Sequence, residues 1–340
     1  MNSRVIKAAI IGTGFMAKTH LEAWQLVKGG NATVIVSRTY EKAKQLASKY
    51  GIEASENLEK TLKKQDIDIV DICVPTYLHR EYVELAAENG KHILLEKPIA
   101  TTLEDADKIV SVSNKFNVKL MVAHVLRYFS EYIEIRKKVL NGMIGYPKHI
   151  RASRKSTFPS WAEWFKDSEK SGGVIVDLAI HDIDFLRWCL KDEVESVYCK
   201  EVKIRSEHEI NDHALIILRF NKGCIAHVEA AWSLPKKAPF IMNIEIYGTK
   251  GMINYSNQEN SPITIITDLE IETHSPDSLT YSPEILPFPI DPYYREIQDF
   301  VNCIIRDEEP PIPAQEAKKS LEVCLAALKS SKDNKEVALK

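Results

Sequence analysis

Asp177 and His181 fall four residues apart in the run GGVIVDLAIHDIDFLRWCL, and with Asp184 and Trp188 they occupy positions i, i+4, i+7 and i+11 of a helix expected over about Gly173 to Leu190. The rest of that helix is largely apolar, which places it in a core. A buried imidazole with a carboxylate one turn away is a natural acid–base unit: the carboxylate orients the ring or a bound hydroxyl, and the ring carries the proton. Two other readings stay open, a hydrogen-bonded structural pair and two metal ligands at helical spacing, although no third ligand is evident. Lys97 is the second candidate. It stands between Glu96 and Pro98 after an apolar run, and the residue before a proline is held away from helical geometry. A cation on such a constrained turn can stabilise a developing alkoxide; a solvated surface lysine is the alternative.

The elements that must carry these residues begin at the N-terminus. Ala8 to Ile11 reads as a buried strand, Gly12-Thr13-Gly14 follows at once, and a helical pattern starts at Phe15 and Met16. Glycines allow a tight turn and a close backbone approach, and the new helix aims its free N–H groups and positive dipole end at the turn, a place suited to a pyrophosphate. The third fingerprint position is Ala17, which the dinucleotide fingerprint allows. A second strand, Ala32 to Val36, delivers Ser37-Arg38-Thr39 to the expected position of the adenosine ribose. A carboxylate there would favour NAD; with none, and with Arg38 able to pair with a 2′-phosphate, the expected cofactor is NADP(H), with NAD(H) possible. Arg38 as a solvated loop residue is the alternative reading.

Strand-like Ile67 to Val74, a helix from about His79 to Asn89 stopped at Gly90, strand His92 to Leu95, a helix capped by Thr102, and strand Lys119 to Ala123 continue the alternation. Such alternation gives a parallel, doubly wound α/β sheet that binds ligands at the carboxyl ends of its strands. Val74, Pro75, Thr76 and His79 at one such end, and Glu96, Lys97 and Pro98 at the next, therefore join Gly12, Gly14, Phe15, Met16, Ser37, Arg38 and Thr39 as dinucleotide-contact candidates. Beyond Ala123 the pattern changes to strand runs at 148–154, 197–204, 213–220, 224–231, 240–247 and 252–255, a mostly antiparallel sheet, and the chain closes with helices at 293–306 and 314–330. The expected organisation is a dinucleotide-binding domain over 1–124, an α+β domain with a large open sheet over 125–290, and closing helices over 291–340 that pack back on the core.

The 340 residues suit about two domains. A net charge of −3 without a basic run gives no sign of a nucleic-acid surface, and no apolar stretch approaches the length of a membrane helix. Six scattered cysteines without a CxxC pair fit reduced thiols in a cytoplasmic protein better than disulfides or zinc, so no metal site is expected.

The glycine turn, Glu96-Lys97-Pro98, and the GG-x3-D-x3-H pattern from Gly172 to His181 together resemble the Gfo/Idh/MocA family of NAD(P)-dependent oxidoreductases, and the likeness runs over nearly the whole chain, including AHVLRYFSEY after the last parallel strand. The resemblance implies a Rossmann domain followed by an α/β domain whose open sheet mediates homo-oligomers, dimers or tetramers. It implies hydride transfer on sugars, sugar derivatives or cyclitols, with Lys97, Asp177 and His181 as the catalytic residues. By position it brings His124 and Arg127 toward the substrate. Trp161 and Trp164, with Phe158 and Phe165, could stack on a sugar ring, or simply pack as the apolar side of a helix. Ser37 departs from the Asp of many NAD-using members. Two other activities remain compatible with the same residues: a redox-neutral glycosidase that retains NAD, and a non-catalytic dinucleotide-binding regulator.

Overall fold

A computed structural model describes residues 4–205, 207, 209–259, 263–275 and 290–339. Contacts divide the chain into two compact units, Met1–Tyr128 with Ser278–Lys318, and Phe129–Asp277 with Lys319–Lys340.

In the first unit the strands are β1 (Ile6–Ile11), β2 (Gly30–Val36), β3 (Glu53–Ser55), β4 (Ile69–Ile72), β5 (His92–Glu96) and β6 (Leu120–Ala123). They form one sheet in the order β3-β2-β1-β4-β5-β6, with every pairing parallel. All residues of β4 and β6 are buried, as expected where helices cover both faces of a parallel sheet. The helices are α1 (Phe15–Trp24), α2 (Tyr40–Tyr50), α3 (Leu58–Leu62), α4 (His79–Glu88) and α5 (Leu103–Lys115). The expected signals act where the sequence put them. The Thr102 hydroxyl accepts the Asp105 N–H at 3.1 Å to cap α5, and Gly90 takes a left-handed φ of 68° just past α4.

The second unit carries α6 (Ser130–Leu140), α7 (Ser168–Ser171), α8 (Ile180–Leu190) and strands β7 (Pro147–Lys155), β8 (Val194–Val202), β9 (His213–Phe220), β10 (Ile225–Ala231), β11 (Ile241–Gly248), β12 (Gly251–Ser256), β13 (Ile263–Thr267), β14 (Ile271–His274) and β15 (Val337–Ala338). Among the described residues these strands form one sheet, β14-β13-β12-β11-β7-β10-β9-β8-β15, antiparallel except where β10 runs parallel to β7. In β9 strict alternation buries Ala214, Ile216, Leu218 and Phe220 and leaves Leu215 and Ile217 on the open face. Behind the sheet, the Arg154 guanidinium makes a two-pronged pair with Asp182 of α8 at 3.0 Å on each arm and donates to the Tyr132 hydroxyl of α6. This satisfies a charge pair that burial would otherwise make costly.

Two features depart from the sequence expectation. β13, β14 and β15 lie outside the expected strands. The helix expected from Gly173 is not uniform: Ile175–Ala179 is a wider π turn that passes into α8. Gly172 and Gly173 precede it with φ of 72° and 68°, and a Cβ on Gly172 would lie 2.4 Å from the Val176 Cβ. The closing helices fall within the two units. Asp291–Arg306 belongs to the first unit, where its Tyr293, Ile297, Phe300 and Val301 are buried, and the helix Ala314–Asp333 supplies residues to both units.

Candidate active site

The glycine turn is built for close approach by an anion. Gly12 has φ of 117°, and a Cβ there would sit 2.4 Å from the Cys73 carbonyl oxygen, so only glycine fits between β1 and β4. Gly14 forms the N-cap of α1, and a Cβ built on it meets nothing within 4 Å. No side chain caps α1 and no acidic residue occupies its first turn. Open backbone at a helix N-terminus without a competing carboxylate fits a pyrophosphate. Phe15 is exposed and Met16 half-buried at the same end.

At the end of β2, the Ser37 hydroxyl lies 3.3 Å from that of Thr13 and accepts the Thr39 N–H at 3.2 Å. Arg38 and Thr39 are exposed. Burial pushes the Tyr82 phenol of α4 up, and the Arg38 charge opposes the shift. Thr13 was not singled out from the sequence; its position inside the glycine turn, opposite a strand end, was the available signal.

The end of β4 supplies Val74 and Pro75, half-buried, and Thr76, buried in the short turn Thr76–Leu78. His79 is placed differently from the expectation. It is buried, and its Nδ1 and Nε2 lie 2.9 and 3.1 Å from the carbonyl oxygens of Pro98 and Val74. Its ring ties two strand ends together, so it shapes the site through the backbone. Burial holds its pKa below the ordinary histidine value. Glu96 also faces inward: it is buried, and its Oε2 accepts the Lys97 N–H at 2.9 Å. Lys97 is half-buried at the end of β5, beside the buried Pro98.

In the second unit the expected one-sided row separates into two parts. Asp184 is fully buried and accepts the Ser320 hydroxyl at 3.0 Å, while Trp188 lies under the Arg136 guanidinium at 4.3 Å. Both serve packing. Asp177 and His181 differ from their surroundings: from residue 171 to residue 187 they alone are not buried. The π turn that carries Asp177 is a feature often found at functional sites.

Of the remaining candidates, Arg127 is buried in the first unit and pairs with Glu316 at 3.2 Å, which gives it a structural partner rather than a free guanidinium. His124 is buried at the end of β6. In the second unit Trp161 is 66% exposed and meets Phe165 edge-on at 5.6 Å, and Trp164 stacks on the Phe165 ring at 4.0 Å. Phe165 and Phe158 in turn pack edge-on against Trp232. The aromatic stretch is therefore a cluster with a buried base and an open tip, and Glu163–Lys166 is one short turn, not a packed helix.

A parallel sheet with an uncapped glycine turn at its carboxyl edge defines a dinucleotide-binding protein of the Rossmann class. The comparisons make this specific. Residues 6–124 match the profile of the Gfo/Idh/MocA oxidoreductase family with its NAD-binding Rossmann fold, and residues 132–254 match the family's C-terminal domain. The chain belongs to this family. It is 25% identical over 340 residues to the myo-inositol 2-dehydrogenase of Thermotoga maritima, covering 98% of each chain. It is 27% identical to the scyllo-inositol 2-dehydrogenase (NAD(+)) of Bacillus subtilis, covering 98% of this chain and 96% of the relative. The crystal structure of an Agrobacterium radiobacter oxidoreductase in complex with NAD+, L-tartaric acid and magnesium shares the fold, with a TM-score of 0.90 at 24% identity and 98% of each chain covered.

Proposed function

We propose that this chain catalyses reversible hydride transfer between NADP(H), or NAD(H), and a CH–OH/ketone carbon of a sugar, sugar derivative or cyclitol. The observation that carries the reading is the pair of openings between residues 171 and 187, where Asp177 and His181 alone stay partly exposed. End-to-end similarity to inositol dehydrogenases supports the substrate class. A bound nicotinamide supplies the hydride acceptor. In the oxidation, His181 takes the hydroxyl proton as hydride leaves the same carbon, so C–OH becomes C=O and one proton remains on the imidazole. The Lys97 ammonium stabilises the negative charge that builds on that oxygen. Asp177 orients the imidazole or holds a neighbouring hydroxyl, and the open tip at Trp161 and Trp164 offers an aromatic face to a sugar ring.

The reading includes a preference for NADP(H). Ser37, Arg38 and Thr39 offer two hydroxyls and a guanidinium at the ribose end, and the stretch contains no carboxylate to repel a 2′-phosphate. A charge-assisted hydrogen bond from an exposed, salt-screened arginine supports a preference of about tenfold. The test is a polyol and ketose panel followed by NADPH and NADH absorbance, with kcat/KM for both cofactors in the parent and in Ser37→Asp/Arg38→Ala. No turnover across the panel would reject the enzyme reading. A parent favouring NAD(H), or an unchanged ratio in the double variant, would reject the role of Arg38.

The assembly is proposed to be a homo-oligomer through the open face of the second unit's sheet. Leu215, Ile217 and Ile225 are 45%, 48% and 49% exposed on adjacent strands of that face, interspersed with Arg219, His227 and Glu229, a mixed apolar and polar surface of the kind a second copy can cover. Sedimentation equilibrium at micromolar concentration should return a dimer or tetramer, and a monomer would overturn this part. The six cysteines are free and buried, which agrees with a reducing compartment such as the cytoplasm. Among the described residues no helix is long and apolar enough to cross a membrane.

A further inference from the structure

Beneath Lys97 the first unit holds a closed set of ionisable groups that the hydride-transfer scheme does not use. His20 on α1, Asp71 on β4 and Glu96 at the end of β5 are all buried. His20 Nδ1 lies 2.9 and 3.0 Å from the two Asp71 carboxylate oxygens, and Asp71 Oδ2 also accepts the Trp24 indole N–H at 2.8 Å. On its other side, His20 Nε2 lies 3.1 Å from Glu96 Oε1, a charge contact without hydrogen-bond alignment. The remaining Glu96 oxygen accepts the Lys97 N–H at 2.9 Å. A continuous path therefore runs from Asp71 through His20 and Glu96 to the backbone of Lys97.

We propose that His20 is a positioning residue for Lys97: an imidazolium that neutralises Glu96 from behind and so keeps the Glu96 carboxylate fixed on the Lys97 N–H. This rests on the catalytic reading of Lys97 given above. Two carboxylates buried this close require a cation, because an uncompensated buried charge is costly. His20 is faced by Asp71, Glu96, the Cys73 thiol 3.5 Å from Nδ1, and the Tyr293 ring with its centroid 6.3 Å away, and within this group the imidazole is the side chain that can carry a positive charge. Burial pushes the His20 pKa down, but the Asp71 charge and hydrogen bond, with Cys73, outweigh it and hold the net shift well above the ordinary value. Burial also pushes the Cys73 thiol up, so it stays neutral. The sign follows: a raised pKa keeps the proton on His20 where an ordinary histidine would lose it.

The direct readout is the backbone amide of Lys97 in 15N-lysine-labelled protein, assigned by its loss in Lys97→Arg. In the parent its shift should stay flat between about pH 5 and 8, where an ordinary histidine titrates. In His20→Gln one of the two carboxylates must take up a proton as pH falls, and the Lys97 amide should then titrate as its acceptor weakens. The kcat of His20→Gln should fall about ten- to hundredfold, the scale of a small misplacement of a catalytic group, and should recover as pH rises, while the dinucleotide Kd holds. Glu96→Gln, which keeps the shape if His20→Gln folds poorly, should show the altered amide shift at every pH. His20→Gln should then add little further loss of kcat on the Glu96→Gln background. A parent amide that titrates in the histidine range, or additive losses in the double variant, would overturn the proposal. An enzyme without polyol turnover but with the expected amide behaviour would instead reject the catalytic reading and leave the coupling standing.

Discussion

Replacing Lys97 with Met is expected to lower kcat by about 10²- to 10³-fold, the usual loss when a donor to the transition state is removed, with dinucleotide binding nearly unchanged. Methionine keeps the length and apolar stem of the side chain and deletes only the charge. The contacts suited to a dinucleotide lie elsewhere: the open backbone at Gly14, the uncapped start of α1, and the Ser37–Thr39 turn. Lys97 is half-buried, and its N–H is fixed by Glu96 at 2.9 Å, so the side chain starts from a defined point. An interaction that grows only as charge develops on the reacting oxygen affects kcat and kcat/KM equally. Steady-state kinetics with saturating cofactor, beside a fluorescence titration of NADPH, separate the two effects. A variant that keeps more than about a tenth of the parent kcat is too active for this role, and a Kd that weakens in step with kcat would move Lys97 from the chemistry to cofactor binding.

How much of this was legible in the sequence depends on the distance over which each signal acts. Local signals were legible: the strand–glycine turn–helix order at 8–17, the Thr102 cap, the Gly90 stop and the alternation of β9 each depend on neighbours a few residues away. The π turn at Ile175–Ala179 was not, because a periodicity of apolar residues is nearly the same for a wider turn and an α-helix over five residues. Its glycine pair was visible, but the clash of a Gly172 Cβ with Val176 exists only in the folded path. Long-range partners were invisible. Arg127 was aimed at substrate by family position, and it pairs with Glu316, 189 residues away. His20 and Asp71 are 51 residues apart and meet only because α1 packs over β4. The same holds for His79, whose ring joins Pro98 and Val74 across two strand ends. The first unit's dinucleotide candidates lie at or just past strand ends, but which of them face a ligand and which hold the frame is decided by packing.

His181→Ala is expected to lower kcat by about 10²- to 10⁴-fold, the range for loss of a general acid–base group, and to remove the acid limb of the oxidation profile. The base must be a neutral imidazole when it accepts the hydroxyl proton. Activity is therefore present above the histidine pKa and lost as pH falls through it, in the region of about 6.5 for an ordinary histidine. Other groups can be weighed against it. His79 has both ring nitrogens set against carbonyl oxygens and its pKa held down by burial. His20 is locked between Asp71 and Glu96. His181 keeps part of its surface open between residues 171 and 187, which are otherwise buried, Asp177 excepted, so alanine leaves a space that added imidazole can enter. Recovery of activity with imidazole, tracking the concentration of its neutral form, would identify the lost function as proton transfer. If the acid limb persists unchanged in His181→Ala, with no response to imidazole, the proton goes to another group and the acid–base assignment fails.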